Sequence, residues 1–198
     1  MISKKLRYFL WLLLLTVISL TLITGCRTTR PLPPYPLDWP AINQKGCDCS
    51  AISGTYADNG VEADANESHT VKSLSQLLEV EDPNKIQQVI LRLGPIGDFD
   101  EGELVVAAMR DGKAVKTRTL VYKCFNGEAK LEKANAGAFY LFLMWFESNE
   151  KSLTAASDGS LVIKSFYCGR GLVMVLMPVW EDIAELFRFE RIPDAPLK

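Results

Sequence analysis

The sequence predicts a mainly β protein: an antiparallel barrel or sandwich of about nine strands with one short helix. Three observations predict it. Side chains alternate at period two, as at Val89, Leu91 and Leu93 and at Val115, Thr117, Thr119 and Val121. Asp111-Gly112 and Asn126-Gly127 are tight-turn signals, because a type I′ hairpin turn needs positive φ at both central residues, and Asp158-Gly159 is a further turn. Strand and turn signals follow one another at fairly regular spacing from Ile86 onward.

The elements follow in order. Residues 52–56 are a short strand, and the polar stretch 57–70 is a loop. Ser73 caps the one helix: Gln76 sits three residues on, and Leu74, Leu77 and Leu78 share a face. Asp82-Pro83 ends it, since a residue before proline avoids the helical region. Residues 86–93 form the first long strand, 94–102 turn the chain, and 103–109 return. Residues 113–124 and 129–131 flank the Asn126-Gly127 turn. The run 138–146, AFYLFLMWF, is too short to cross a bilayer as a helix and reads as a central strand buried on both faces. Residues 152–156 and 160–167 form another hairpin, and 169–171 turn into 172–177. Pro178 interrupts, and 180–192 close the domain with Phe187 and Phe189 at period two.

The chain has 198 residues, enough for one ordinary domain. Apolar content of 48% and charge of 23% exclude an intrinsically disordered chain. Basic residues number 22 and acidic 24. Residues 1–25 hold Lys4, Lys5 and Arg7 and no acid, so their removal leaves 19 basic against 24 acidic. No nucleic-acid partner is expected of such a surface.

The N-terminus carries a signal of its own. Positive Lys4, Lys5 and Arg7 precede an uncharged run that ends at Ile23-Thr24-Gly25-Cys26. This resembles the signal of bacterial lipoproteins, whose lipobox reads aliphatic, small or aliphatic, Gly or Ala, then Cys. The resemblance implies cleavage between Gly25 and Cys26 and acylation of the Cys26 thiol. Two or more acyl chains hold a protein stably on a membrane. The family's sorting pattern keeps proteins with Asp after the cysteine at the inner membrane. Arg27 here implies the outer membrane, with the domain facing the periplasm. A signal-anchor helix and an ordinary secretory signal are the alternatives.

The expected organisation is a signal peptide over 1–25, a lipidated cysteine and Pro-rich tether over 26–46, and one β-rich periplasmic domain over 47–198. Between Arg30 and Pro40 stand five of the chain's ten prolines. Such a stretch favours extended polyproline II, a semi-rigid spacer of ~3 Å per residue. Its PxxP spacings also suit an aromatic groove on a partner.

Four cysteines remain besides Cys26: Cys47, Cys49, Cys124 and Cys168. An even number in an oxidising compartment predicts two disulfides. A Cys47–Cys49 bridge would close a strained ring, so each crosses to Cys124 or Cys168. The rival is a thiolate clamp, Cys47-Asp48-Cys49 with His69, but no second paired motif supports a metal, and C-x-x-C redox chemistry is absent. Asp98, Asp100, Glu101 and Glu103 share a Gly-containing loop that departs from the calcium-loop pattern after its second position. His69, the only histidine, lies beside Ser68 without a nucleophile elbow. No catalytic residue, metal or cofactor is therefore expected. Phe139, Tyr140, Phe142, Trp145 and Phe146 could line an apolar ligand cavity or simply pack the core.

Residues Cys49 to Tyr56 with Asn59-Gly60 resemble a C-x-x-L-S-G-x-Y-x-N-x-G pattern of uncharacterised proteobacterial lipoproteins. Ala156-Ser157-Asp158-Gly159-Ser160-Leu161 is similar to their A-x-D-G-x-L turn. Gly54-Thr55-Tyr56 is faintly similar to the opening strand of lipocalins. The expectation is a lipid-anchored envelope protein that catalyses nothing, with a domain that binds a partner protein or an apolar small molecule or serves a structural role. The alternative is an enzyme acting on envelope polymers through carboxylates such as Asp98 and Glu103.

Overall fold

The computed structural model describes residues 7–9, 11, 30–43, 49–63, 71–82, 85–97, 101–132, 134–140, 143–173 and 177–193. A 3-10 turn at Ser50–Ile52 leads into β1 (Gly54–Ala57) and β2 (Asn59–Glu62). β3 (Val71–Ser73) runs into the helix α1 (Leu74–Leu77). Then come β4 (Gln88–Leu93), β5 (Glu101–Arg110), β6 (Lys113–Phe125), β7 (Glu128–Leu131) and β8 (Ala134–Tyr140). The chain ends with β9 (Leu143–Ala155), β10 (Leu161–Val173), β11 (Met177–Phe189) and β12 (Arg191–Ile192).

The twelve strands make one antiparallel sheet in the order β12-β1-β4-β5-β6-β7-β9-β10-β11-β2-β3, with β8 attached to β9. The mainly β class and the short helix stand as expected. The barrel and the sandwich do not, because there is one sheet and its hydrogen-bonded path does not close. Residues 54–62 explain why. Their first half pairs with β12 and β4, their second half with β11 and β3. The two ends of the path therefore meet along the chain, through Asp58, instead of through a further ladder.

Asp58 is buried at this break, and a buried carboxylate is costly unless hydrogen-bonded. The Ser73 hydroxyl donates to its Oδ2 and the Ser75 N–H to its Oδ1, both at 2.7 Å. Its carbonyl accepts the Leu74 N–H at 2.7 Å. The residue that breaks the strand thus also seats the start of α1. Ser73 caps the helix as the sequence predicts, its hydroxyl accepting from the Gln76 N–H. The helix stops well before Asp82-Pro83. Glu79 turns left-handed at φ 58°, and the Val80 N–H reaches back to the Ser75 carbonyl at 2.8 Å, a Schellman-type closure.

Asp111-Gly112 and Asn126-Gly127 adopt the predicted turn, with φ of 51° and 72° and of 51° and 75°. One sheet face buries Val89, Leu91, Leu104, Val106, Leu153, Leu161, Ile163, Phe187 and Phe189 against Leu74, Leu77 and Leu78 of α1. Fully burying each such aliphatic or aromatic side chain is worth ~1.5–3 kcal/mol.

The run 138–146 is not a central strand. It turns back on itself, with Phe139 opposite Met144 and Tyr140 opposite Leu143. Alternation cannot distinguish a buried strand from two apolar strand ends joined by a tight turn. Ala134 to Gly137 in β8 are exposed. Residues 169–178 likewise differ from expectation. β10 runs straight through Gly169–Gly171, and Pro178 sits inside β11 opposite Leu172. Pro178 is tolerated there because, among the described residues, β11 pairs with β2 only at Phe187 and Arg188 and is an edge near Pro178. Within the stretch 57–70, expected to be a loop, residues 59–62 are β2; this and the short β3 and β12 raise the strand count above nine.

The opposite sheet face carries a smaller cluster. Trp39 packs with Ala63, Ala156, Val162 and Leu186, and Tyr35 leans on it edge-on to Trp39. The Asn43 N–H donates to the Ala155 carbonyl at 2.9 Å, and the Ser157 N–H to the Ala41 carbonyl at 2.8 Å. The second half of the proline-rich stretch is therefore docked on the sheet.

Candidate functional site

Period-two alternation in β9 points Leu153, Lys151 and Asn149 to the core side of the sheet. Leu153 meets the core, but Lys151 and Asn149 lie beyond α1, where the core gives way to an open cleft. The cleft has two lobes that share Leu77, Asn149 and Lys151. One, about 290 Å³, lies between β6 and β8 and is lined by Arg118, Leu120, Leu131 and Glu132. The other, about 410 Å³, lies over β10 and β11 and is lined by Lys72, Tyr167, Glu181 and Glu185.

Glu79 stands at the junction. Its carboxylate pairs with Arg118 and lies 3.6 Å from the Lys151 ammonium. The hydrogen bond from Arg118, with Lys151 beside it, holds Glu79 below the usual carboxylate range despite partial burial. Burial pulls the Lys151 amine below its ordinary value, and Arg118 and Lys72 add to that while Glu79 opposes it. Lys72 is occupied by Glu185 at 3.0 Å and lies 5.0 Å from the Phe187 ring centre. On the β10 side Tyr167 donates to Glu147 at 3.2 Å. Burial and that carboxylate raise the phenol. Asn149 Oδ1 is buried and, among the described residues, has no hydrogen-bond partner. Chemically, this lobe is a carboxylate seat: a guanidinium and a desolvated ammonium close on one carboxylate, beside an apolar wall of leucines.

β7 and β8 shape the opening. β7 pairs with β6 on one side and β9 on the other. The Glu132 N–H donates to the Val121 carbonyl at 3.0 Å, the last bond of that ladder. Beyond it the chain continues as β8, which stays on β9 and leaves β6.

Gly25, Cys26, Cys47, His69, Asp98, Asp100 and Phe142 lie outside the described residues. Cys49 and Cys124 form a disulfide with Cα atoms 6.0 Å apart, and this bridge removes Cys49 from any thiolate clamp. Cys168 is also disulfide-bonded. Among the described residues no three His, Cys, Asp or Glu side chains gather for a metal. Glu101 pairs with Lys123 at 3.0 Å, and Glu103 is exposed on β5.

Of the aromatic set, Trp145 and Phe146 have described side chains, and these two do not line one cavity. Trp145 covers Gly169 on one face and Phe146 covers Gly137 on the other. At Gly169 a Cβ would lie 2.3 Å from the Trp145 ring, so the ring requires a glycine there. β9 starts at Leu143, nine residues before the strand the sequence predicts at 152–156, and the carboxylate seat lies on that added length. Extending the alternation of Leu153 two and four residues back would have pointed Lys151 and Asn149 inward.

No protein-family model matches this chain, no curated protein matches it, and no solved structure matches its fold.

Proposed function

We propose that this chain is a lipid-anchored envelope protein, acylated on Cys26, that holds a non-catalytic binding domain at the periplasmic face of the outer membrane. The partner is a protein engaged at the cleft around Lys151. The lipobox supports the anchor. The observation that carries the binding reading is the open, mixed polar and apolar cleft, whose two cations already hold a carboxylate of the chain itself. Docking of Tyr35 and Trp39 supports a short connection. Eight residues separate Cys26 from Tyr35, so the spacer spans at most ~30 Å. An apolar small molecule is the weaker reading, because the aromatic rings at Trp145 and Phe146 fall on opposite faces. The enzymatic alternative gains no support from Glu103, which faces solvent.

Two measurements test this. The native protein should incorporate palmitate, and Cys26→Ser should lose both the label and processing. A native mass that retains residues 1–25, or an unacylated Cys26, overturns the anchor. A photo-crosslinking residue at Thr119 should trap an envelope protein, while one at exposed Phe125, outside the cleft, should not. Equal trapping at both positions overturns the cleft as the binding site.

A further inference from the structure

β8 is an open sheet edge of an unusual kind. It pairs with β9 along all of Ala134–Tyr140, and among the described residues its other side has no backbone partner. Exposed edges normally carry a lysine, a proline or a bulge that discourages a further strand. β8 reads ANAGAFY, with no charge, no proline and an unbroken register against β9. The contrast lies within the same sheet. The open part of β11 carries Pro178, Glu181, Asp182 and Glu185, each a device that blunts an edge.

The surroundings state what would be welcome there. Before Tyr122, where β7 takes over its edge, β6 faces β8 across the cleft and carries Lys113, Lys116 and Arg118 with no acid. Of the strand-side residues lining the lobe between β6 and β8, Glu132 is the one acid, and it sits at the closed end, where β7 and β6 separate. Arg118 and Lys151 already hold the Glu79 carboxylate as cations. A second copy joined β8 to β8 would bring two basic β6 strands to one junction, which like charge disfavours.

From these observations, and resting on the binding-domain reading above, we infer that β8 is a strand-addition site for an extended, acidic segment of a partner polypeptide. The segment lies antiparallel to β8. Its main chain completes the β8 edge, which supplies affinity. Alternate carboxylates reach Arg118 and the basic row of β6, which supplies selection.

The test uses the full-length protein in lipid nanodiscs. Four end-capped peptides match the seven residues of β8. One alternates Glu with Val, one alternates Lys with Val, and two are the Glu peptide N-methylated at one or the other alternate set of amides. The Glu peptide should bind and slow amide exchange at 134–140. The Lys peptide should bind about tenfold more weakly or not at all, and Arg118→Glu should narrow that gap by about tenfold. One of the two methylated sets should abolish binding. Indifference to both methylated sets, protection at β11 instead of β8, or failure of the Glu peptide to bind each overturns the inference. Self-association through β8 without peptide overturns it too, in favour of a second copy. Crosslinking from Thr119 is unaffected by any of these results, so the binding-domain reading stands or falls separately.

Discussion

The Cys49–Cys124 bridge ties the turn before β1 to the end of β6 across 75 residues. The double variant Cys49→Ala with Cys124→Ala removes it and leaves the Cys168 bridge in place. For a loop of 75 residues, chain entropy alone assigns the bridge about 4.5 kcal/mol at room temperature. Cys49 is 1% exposed and belongs to the main core, so the lost sulfur leaves a small void worth about 1 kcal/mol more. The expected loss is therefore about 5.5 kcal/mol, comparable to the whole stability of a marginal domain. Urea unfolding of the oxidised protein and the variant, followed by tryptophan fluorescence, measures it. The slope with denaturant should also rise, because the unlinked chain exposes more surface. A loss below about 2 kcal/mol with an unchanged slope would refute the reasoning, since the bridge would then not be restricting the unfolded chain.

Three further outcomes are expected. Burial pushes Tyr56 from 10.0 up to about 12, although Arg191 pulls it down, and its hydroxyl donates to the Ile52 carbonyl at 2.8 Å. The folded value lies above the unfolded one, so this contribution is complete below about pH 10 and is lost as pH rises toward about 12, by ~2–3 kcal/mol. Tyr56→Phe should flatten that alkaline limb in urea titrations, and an unchanged limb counts against the assignment. At Gly60 a Cβ would lie 2.3 Å from the Phe189 ring, which is fully buried, so Gly60→Ala should cost about 1–3 kcal/mol. Phe189→Leu in the same chain should recover part of that cost, and strictly additive thermal shifts would contradict the contact. Trp39→Ala should cost about 3 kcal/mol and expose residues 35–43 to protease; unchanged cleavage there would mean the segment is not held by the ring.

Local chemistry made some elements legible. Asp111-Gly112 and Asn126-Gly127 adopt left-handed turns because those residue pairs tolerate positive φ at little cost, and nothing distant alters that. Ser73 caps α1 for the same reason: the partner of its hydroxyl is three residues away. Period two showed which of Val89, Leu91 and Leu93 share a face, though not how many strands lie between the ends of the sheet. The boundaries failed where alternation gave out. An apolar run such as 138–146 has no polar phase to mark its turn, and a four-residue strand such as β2 is too short for a periodic signal.

What the sequence by itself determined is the β class, the tight turns, the capped helix and the cysteine set. Each depends on residues within a few positions of one another or on composition. Tertiary structure decided the rest. Asp58 breaks the strand where it does because Ser73 and Ser75, fifteen and seventeen residues on, surround its carboxylate. Glu79, Arg118 and Lys151 become one carboxylate seat only when α1, β6 and β9 come together. The open side of β8 exists because β7 pairs with two strands and its continuation pairs with one. Strand pairing joins residues far apart in the chain, and alternation along one strand carries no record of which strand lies beside it.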